Sequence, residues 1–262
     1  MSATLRIARF GMRDLARSRW LGAYAGLFAF GAWVLFRFSD TEQKALLSLV
    51  NVALFVVPLA SIVFGSIYLY ASREFVELML AQPVARKQLF AGLYLGLVAS
   101  MAGAGAIGLG VPLLFFARSA QSIGPSLSLI GMTIALSCTF TGLAAIIAYR
   151  VEDRVRGLAL ALGAWLVLAI VWDALVLLLA TQFAAYPIER GMLAMMVANP
   201  IDLARLLLLF QFDVAALLGY TGAVFERFLG AGTGSVVAAA ALIAWAVIPA
   251  AIGRRLFQTK DF

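Results

Sequence analysis

The stretch "YASREFVELMLAQPVARKQLFAGLYLG", Tyr70 to Gly96, lies between two long apolar runs and carries Arg73, Glu74, Glu77, Arg86 and Lys87. Charge is scarce in this chain. Of its 262 residues 64% are hydrophobic and 13% charged, and the mean hydropathy is +1.00. A soluble domain is closer to half apolar and a quarter charged, so the apolar excess must face lipid. A charged, helix-patterned hinge between two lipid-soluble runs therefore reads as a short loop outside a membrane.

A spanning helix needs roughly 20 mostly apolar residues. Windows at about Trp20–Phe38, Leu46–Tyr70, Leu89–Ala117, Leu127–Tyr149, Leu158–Thr181 and Ser235–Ile252 qualify. None alternates as the strands of a membrane barrel would. The expected fold is all-α: a polytopic membrane protein with six transmembrane helices in one domain over residues 1–262. The first run is too long for a signal peptide and no small-residue cleavage site follows it, so it reads as a retained helix. Lys and Arg set the direction. With the N-terminus inside, the outer segments keep only Arg37, Lys44, Arg118, Arg190, Arg205 and Arg227 of the 20 basic residues. Both termini are expected to be cytoplasmic.

Three segments outside the bilayer invite a role. Residues 1–19 hold a basic amphipathic helix on the cytoplasmic side. At 100° per residue Arg6, Arg9, Arg13 and Arg17 fall within about an 80° sector, with Leu5, Ala8, Met12, Leu15 and Ala16 on the neighbouring face. Such a helix suits the headgroup layer and equally suits a shelf for a partner. Residues 71–88 form the hinge itself. Phe75, Leu78 and Met79 keep helical spacing, Gln82-Pro83 breaks the helix, and Arg86 and Lys87 open the next span. There they oppose its dipole, which anionic lipid or a partner would offset. The charged turn "RVEDRVRG" at Arg150–Gly157 reads as a solvated turn or a second, smaller contact.

The long outer segment, residues 182–234, contains "NPIDLARLLLLFQFD" (Asn199–Asp213) and "GYTGAVFERFLGAGTG" (Gly219–Gly234). Asn199-Pro200 is a helix start with Asp202 in the first turn, and Arg205 interrupts the apolar run that follows. An interfacial or re-entrant helix is expected, its Asn199, Pro200, Asp202 and Arg205 being candidates for contact with an outer partner. Tyr220, Phe225 and Phe228 suit the membrane interface.

Asp173 is the acidic residue well inside a span, about 22 Å along the helix from Leu158. Ionisable groups at such depth are costly and invite a functional reading; a buried polar contact is the plainer one. Met192, Met195 and Met196 gather in "GMLAMMVANP", where thioethers suit Cu(I) but also simply fill apolar space. Cys138 reads as a small buried residue. With no His and one Cys, intrachain disulfides, His acid–base chemistry and the usual zinc sets are excluded. The small-residue runs "ASMAGAGAIGLG" (Ala99–Gly110) and "GLALALGAW" (Gly157–Trp165) let helices approach closely, within one chain or across a dimer seam.

Taken together, these features resemble the ABC-2 type permeases, the membrane half of exporter-like ATP-binding-cassette transporters. The family's "E…LLL…P.SR…L..GK..G" stretch reads here "REFVELMLAQPVARKQLFAGLYLG", with Pro83, Arg86, Leu89 and Gly96 in register. The Gly-Thr usual after the acidic residue is missing, and Leu93 and Tyr94 stand where a Lys is frequent. Within the family, "NPIDLARLLLLF", "GAVFERFLG" and the ending "RRLFQTKDF" resemble the permeases of the nitrous-oxide reductase maturation (NosDFY) systems. The resemblance implies a coupling helix between spans two and three whose Arg73, Glu74, Phe75, Glu77, Arg86 and Lys87 contact the ATPase. It also implies a permease homodimer, two copies of a NosF-like cytoplasmic ABC ATPase, a NosD-like periplasmic protein, and a role in supplying copper or a sulfur species.

No cofactor is expected on this chain. It has no G-x-x-x-x-G-K-[ST] run to cradle phosphates, so ATP and Mg belong to the partner. Three other readings stand beside this one. They are a general ABC-2 exporter of lipid, drug or polysaccharide, an integral membrane enzyme, and an ion-driven secondary transporter. The last two lack the convergent acid, base or intramembrane charged groups they need. Nucleic acid is not an expected partner, since the net charge of +7 is spent on topology.

Overall fold

The computed structural model describes residues 3–117, 119–183, 189–211 and 231–260. Among the described residues no strand occurs and six helices are long and apolar enough to cross a membrane, as the hydropathy windows require. The elements are α1 (Ala3–Ala16), α2 (Arg19–Phe38), α3 (Glu42–Ala71), α4 (Arg73–Leu80), α5 (Arg86–Phe116), α6 (Ala120–Arg150) and α7 (Arg154–Leu166). A π-helical turn (Val167–Val171) then leads into α8 (Trp172–Gln182), followed by α9 (Glu189–Val197), α10 (Pro200–Phe210) and α11 (Ala231–Thr259). Span five is the continuous run Arg154–Gln182. Tyr220, Phe225 and Phe228 lie outside the described residues.

The spans extend beyond their apolar windows because polar residues cap them. Thr41 accepts from the amide of Lys44 and starts α3 four residues before its apolar run. Asp153 accepts from the amide of Arg156 at 2.7 Å and starts α7. At 1.5 Å per residue, α5 and α6, with 31 residues each, are about 46 Å long against about 30 Å of hydrocarbon. Both must project from the bilayer.

Helix α6 is central and packs on α3, α5 and α11, while α1 and α2 run along α5. The main core is built from Leu, Ala and Phe of these helices, including Phe28, Leu49, Leu97, Leu109 and Phe140. A second, smaller core of Val76, Leu89, Phe90, Leu93 and Phe257 lies at the end where α1, α4 and the end of α11 meet. We call this the basic end and the opposite one the far end. Outward-facing Leu27, Phe30, Leu114, Leu177 and Ile243 leave the bundle with an apolar flank that suits lipid.

Glycines on α5 set how closely its neighbours pack. A Cβ at Gly108 would lie 2.6 Å from the carbonyl oxygen of Ala25 on α2, and one at Gly105 would lie 2.8 Å from Cγ2 of Thr133 on α6. These positions of the small-residue run thus serve packing within one chain.

Candidate functional site

At the basic end, α4 follows α3 after one capping residue, Ser72. Its Val76 is buried in the second core, which fixes the rotation of the helix. Glu74, Glu77 and Leu78 are left exposed, and among the described residues neither glutamate forms an ion pair. Phe75 is half-buried and stacks on Phe10 of α1, with ring centroids 5.7 Å apart.

Arg73 takes a different direction from its acidic neighbours. Its guanidinium donates to the carbonyl oxygens of Glu152 at 2.7 Å, Val151 at 3.0 Å and Ala148 at 3.2 Å, and it sits 4.6 Å from the Tyr70 ring. A cation placed on the last carbonyls of a helix satisfies orphan acceptors and complements the dipole. Tyr70 adds a bond from its hydroxyl to the Val151 carbonyl at 2.9 Å. Arg73 therefore fastens α4 to the α6–α7 turn instead of presenting a free charge. Arg86 does the same at the other end of the segment, donating to the carbonyls of Gln258 at 3.1 Å and Lys260 at 2.7 Å. Lys87 stays exposed. Lys260 donates to the Tyr149 carbonyl at 3.2 Å. Burial, and then the nearby charge of Arg73, push the ammonium of Lys260 below its ordinary pKa, against the opposing pull of Glu152.

Helix α1 lies against the start of α5 with its Ala8 buried. It reaches this closely because α5 offers Gly92 and Gly96. A Cβ at Gly96 would lie 2.9 Å from the Ala8 carbonyl oxygen, and one at Gly92 would lie 2.7 Å from Cβ of Ile7. Arg6, Arg9, Arg13 and Arg17 are all exposed. The basic end thus presents a platform, with exposed arginines on α1, exposed acids on α4, and the Phe10–Phe75 stack joining the two.

The far end brings together four residues that the sequence placed in two separate groups. Arg205 on α10 pairs with Asp173 on α8 at 3.0 Å and with Asp202 at 3.1 Å. The Asn199 side chain donates to Asp202 at 3.0 Å and to the carbonyl of Leu168 at 2.9 Å, while its oxygen accepts from the amide of Ile201. Pro200 occupies the first turn. Leu168 belongs to the π-helical turn, and such turns often mark sites under functional constraint. The Trp172 indole donates to the Met195 carbonyl at 3.2 Å. Helices α9 and α10 bend by 98° at this point, and most of α10 is buried against α11, α6 and α3. Met192 and Met196 are buried, Met196 within the main core. Among the described residues no group of three or more His, Cys, Asp or Glu gathers as a metal would need.

Nothing in the sequence singled out Tyr70, Lys260, Phe10 or Gly92. Only the four-residue spacing of Gly92 and Gly96 carried a signal, that of close helix packing.

Six spans, a short helix between the second and third, and a bent helix pair before the sixth define a polytopic membrane bundle of the permease kind. The family model described as "ABC-2 family transporter protein" matches residues 5–262, and the chain belongs to that family. ABC-2 permeases are membrane subunits that lack ATPase activity and work with a cytoplasmic ABC ATPase. Two relatives align with nearly the whole chain. The "Probable ABC transporter permease protein NosY" of Pseudomonas aeruginosa is 27% identical over 277 aligned positions, covering 99% of both chains. A protein of the same description from Stutzerimonas stutzeri is 27% identical over 270, covering 96% of this chain and 91% of that one.

Proposed function

We propose that this chain is the permease subunit of an ABC transporter. A separate cytoplasmic ATPase pushes on α4, and the bundle passes that movement to the periplasmic face, where it drives transport or signals to a partner. The basic end is then the cytoplasmic one, the far end periplasmic, and the permease works as a homodimer in a bacterial inner membrane. The observation that carries this is the construction of α4. Its Glu74–Glu77–Leu78 face is exposed, while Val76 seats it in the second core and Arg73 ties it to the α6–α7 turn. A helix held in this way moves its neighbours when pushed.

The resemblance to NosDFY permeases, together with the relatives' NosY description, supports a finer reading. The system would serve copper-site maturation of nitrous-oxide reductase, with a NosF-like ATPase and a NosD-like periplasmic protein. Asn199, Asp202 and Arg205 lie on the bent hairpin, so a partner there would act through the hairpin as a body. Reversing Glu74 and Glu77 to Lys together is expected to lower ATPase co-purification sharply; full retention would count against contact at α4.

A general exporter of apolar cargo is the second reading, and one feature favours it. A groove of about 510 Å³ opens sideways between α2, α3 and α7, lined by apolar and aromatic residues such as Trp20, Leu27, Val56, Val63, Phe64 and Leu162. Co-purified lipid or drug, with no periplasmic partner, would select this reading.

A further inference from the structure

We infer that span five is a lever that carries movement from α4 to the outer hairpin, with Arg73 and Asp173 as positioning residues at its two ends. The inference rests on the reading that force enters at α4, and it adds the route and the residues.

Span five is the least embedded of the six. In its most apolar stretch no residue is buried, and along α7 only Gly157 and Ala161 are. Its first half packs on α3 and α6 through Ala161, Ala164 and Trp165, and directed contacts join it to the bundle in three places. At the basic end, Tyr70 and Arg73 bond Val151 and Glu152, next to the Asp153 cap that starts α7. Gly157, on the first turn, has no room for a side chain because the Tyr70 hydroxyl occupies that space. Arg73 of α4 thus grips the turn that leads into span five, and Tyr70 at the end of α3 seats its first turn.

The second place is a pivot. The Trp165 indole donates to the Phe55 carbonyl of α3 at 3.2 Å, and the two rings meet edge to face at 4.6 Å. The π-helical turn begins two residues later. The third place is the far end, where Leu168, Trp172 and Asp173 meet Asn199, Met195 and Arg205. From Asp153 to Trp165 is about 18 Å along the helix, and from Trp165 to Asp173 about 12 Å more. A rod that packs on α3 and α6 along one side only, gripped at both ends and hinged between, transmits tilt. Coupling between the two ends requires that each grip have a made and a broken arrangement.

Backbone hydrogen exchange of the full chain in lipid nanodiscs, without any ATPase, tests this. Arg73→Ala is expected to raise exchange in residues 189–210 by about fivefold or more, besides its local effect near residues 148–157. In an Asp173→Asn background, where the far grip is weakened, Arg73→Ala should add less than twofold at the hairpin, since the route is already cut. Trp172→Phe should act as Asp173→Asn does. If Arg73→Ala cannot be purified, Arg73→Lys is used; it keeps the charge but cannot span three carbonyls. A change confined to residues 148–157, or a hairpin effect that persists in full with Asp173→Asn, would overturn the lever. Since no ATPase takes part, a failure here leaves contact at α4 standing. Transmission in a chain that captures no ATPase would leave the lever standing alone.

Discussion

Replacing Gly96 examines the basic platform where its geometry leaves least room. A Cβ at Gly96 would meet the Ala8 carbonyl oxygen at 2.9 Å, the Ala8 Cα at 3.4 Å and the Ala8 carbonyl carbon at 3.6 Å. All three atoms belong to the backbone of α1, so no side chain can rotate away. Relaxing the closest contact to an ordinary separation of about 3.5 Å moves α1 outward by roughly half an ångström for Gly96→Ala. Overpacking of this kind costs about 1–3 kcal/mol, and Gly96→Leu exceeds it. Helix α1 carries exposed Arg6, Arg9 and Arg13, which trypsin can cut only when α1 leaves α5. A loss of 1–3 kcal/mol in docking should therefore speed cleavage by about five- to 150-fold. Gly103, on the same helix, has nothing within 4 Å of its Cβ position, so Gly103→Ala is the control and should change nothing. Equal trypsin resistance of Gly96→Leu and Gly103→Ala would refute the glycine seat for α1.

Arg205→Ala leaves Asp173 and Asp202 without their shared cation. Because Arg205 and Asp173 are both more than a third exposed, the loss should be about 1–3 kcal/mol, not that of a fully buried pair, and should be larger than for Asp173→Asn; thermal melting in detergent reads both. Glu42 accepts from the Ser119 amide and hydroxyl at 3.3 and 2.8 Å and from the Ser122 hydroxyl at 2.7 Å, tying the start of α3 to the start of α6. Glu42→Ala should cost about 1.5–3 kcal/mol of stability, read as a lower melting point, while leaving ATPase co-purification unchanged.

The spans were legible because each needs only length and apolarity, which composition supplies. Their ends were less so. α3 starts at Glu42 and not Leu46 because Thr41 caps it, and a polar cap adds helix where hydropathy sees none. The start of α10 at Asn199-Pro200 could be read because cap chemistry is local. What sequence could not give was partnership. Asp173 and Arg205 are 32 residues apart, and nothing in either neighbourhood says that a bent hairpin brings them together. Arg73 shares a charged segment with Glu74 and Glu77, and helical spacing alone assigns all three to the surface. Only the position of the α6 C-terminus shows that Arg73 points into the bundle. The small-residue runs raised the same difficulty, since spacing says that helices come close but not which ones.

The central claim is that movement enters this bundle at α4 from a separate nucleotide-hydrolysing subunit. Leu78, 67% exposed at the middle of the free face, is the place to ask. A photo-crosslinking residue put there in the cell should capture one cytoplasmic protein that carries a P-loop. If that residue captures only lipid or nothing while the system still performs its cellular task, the claim is contradicted.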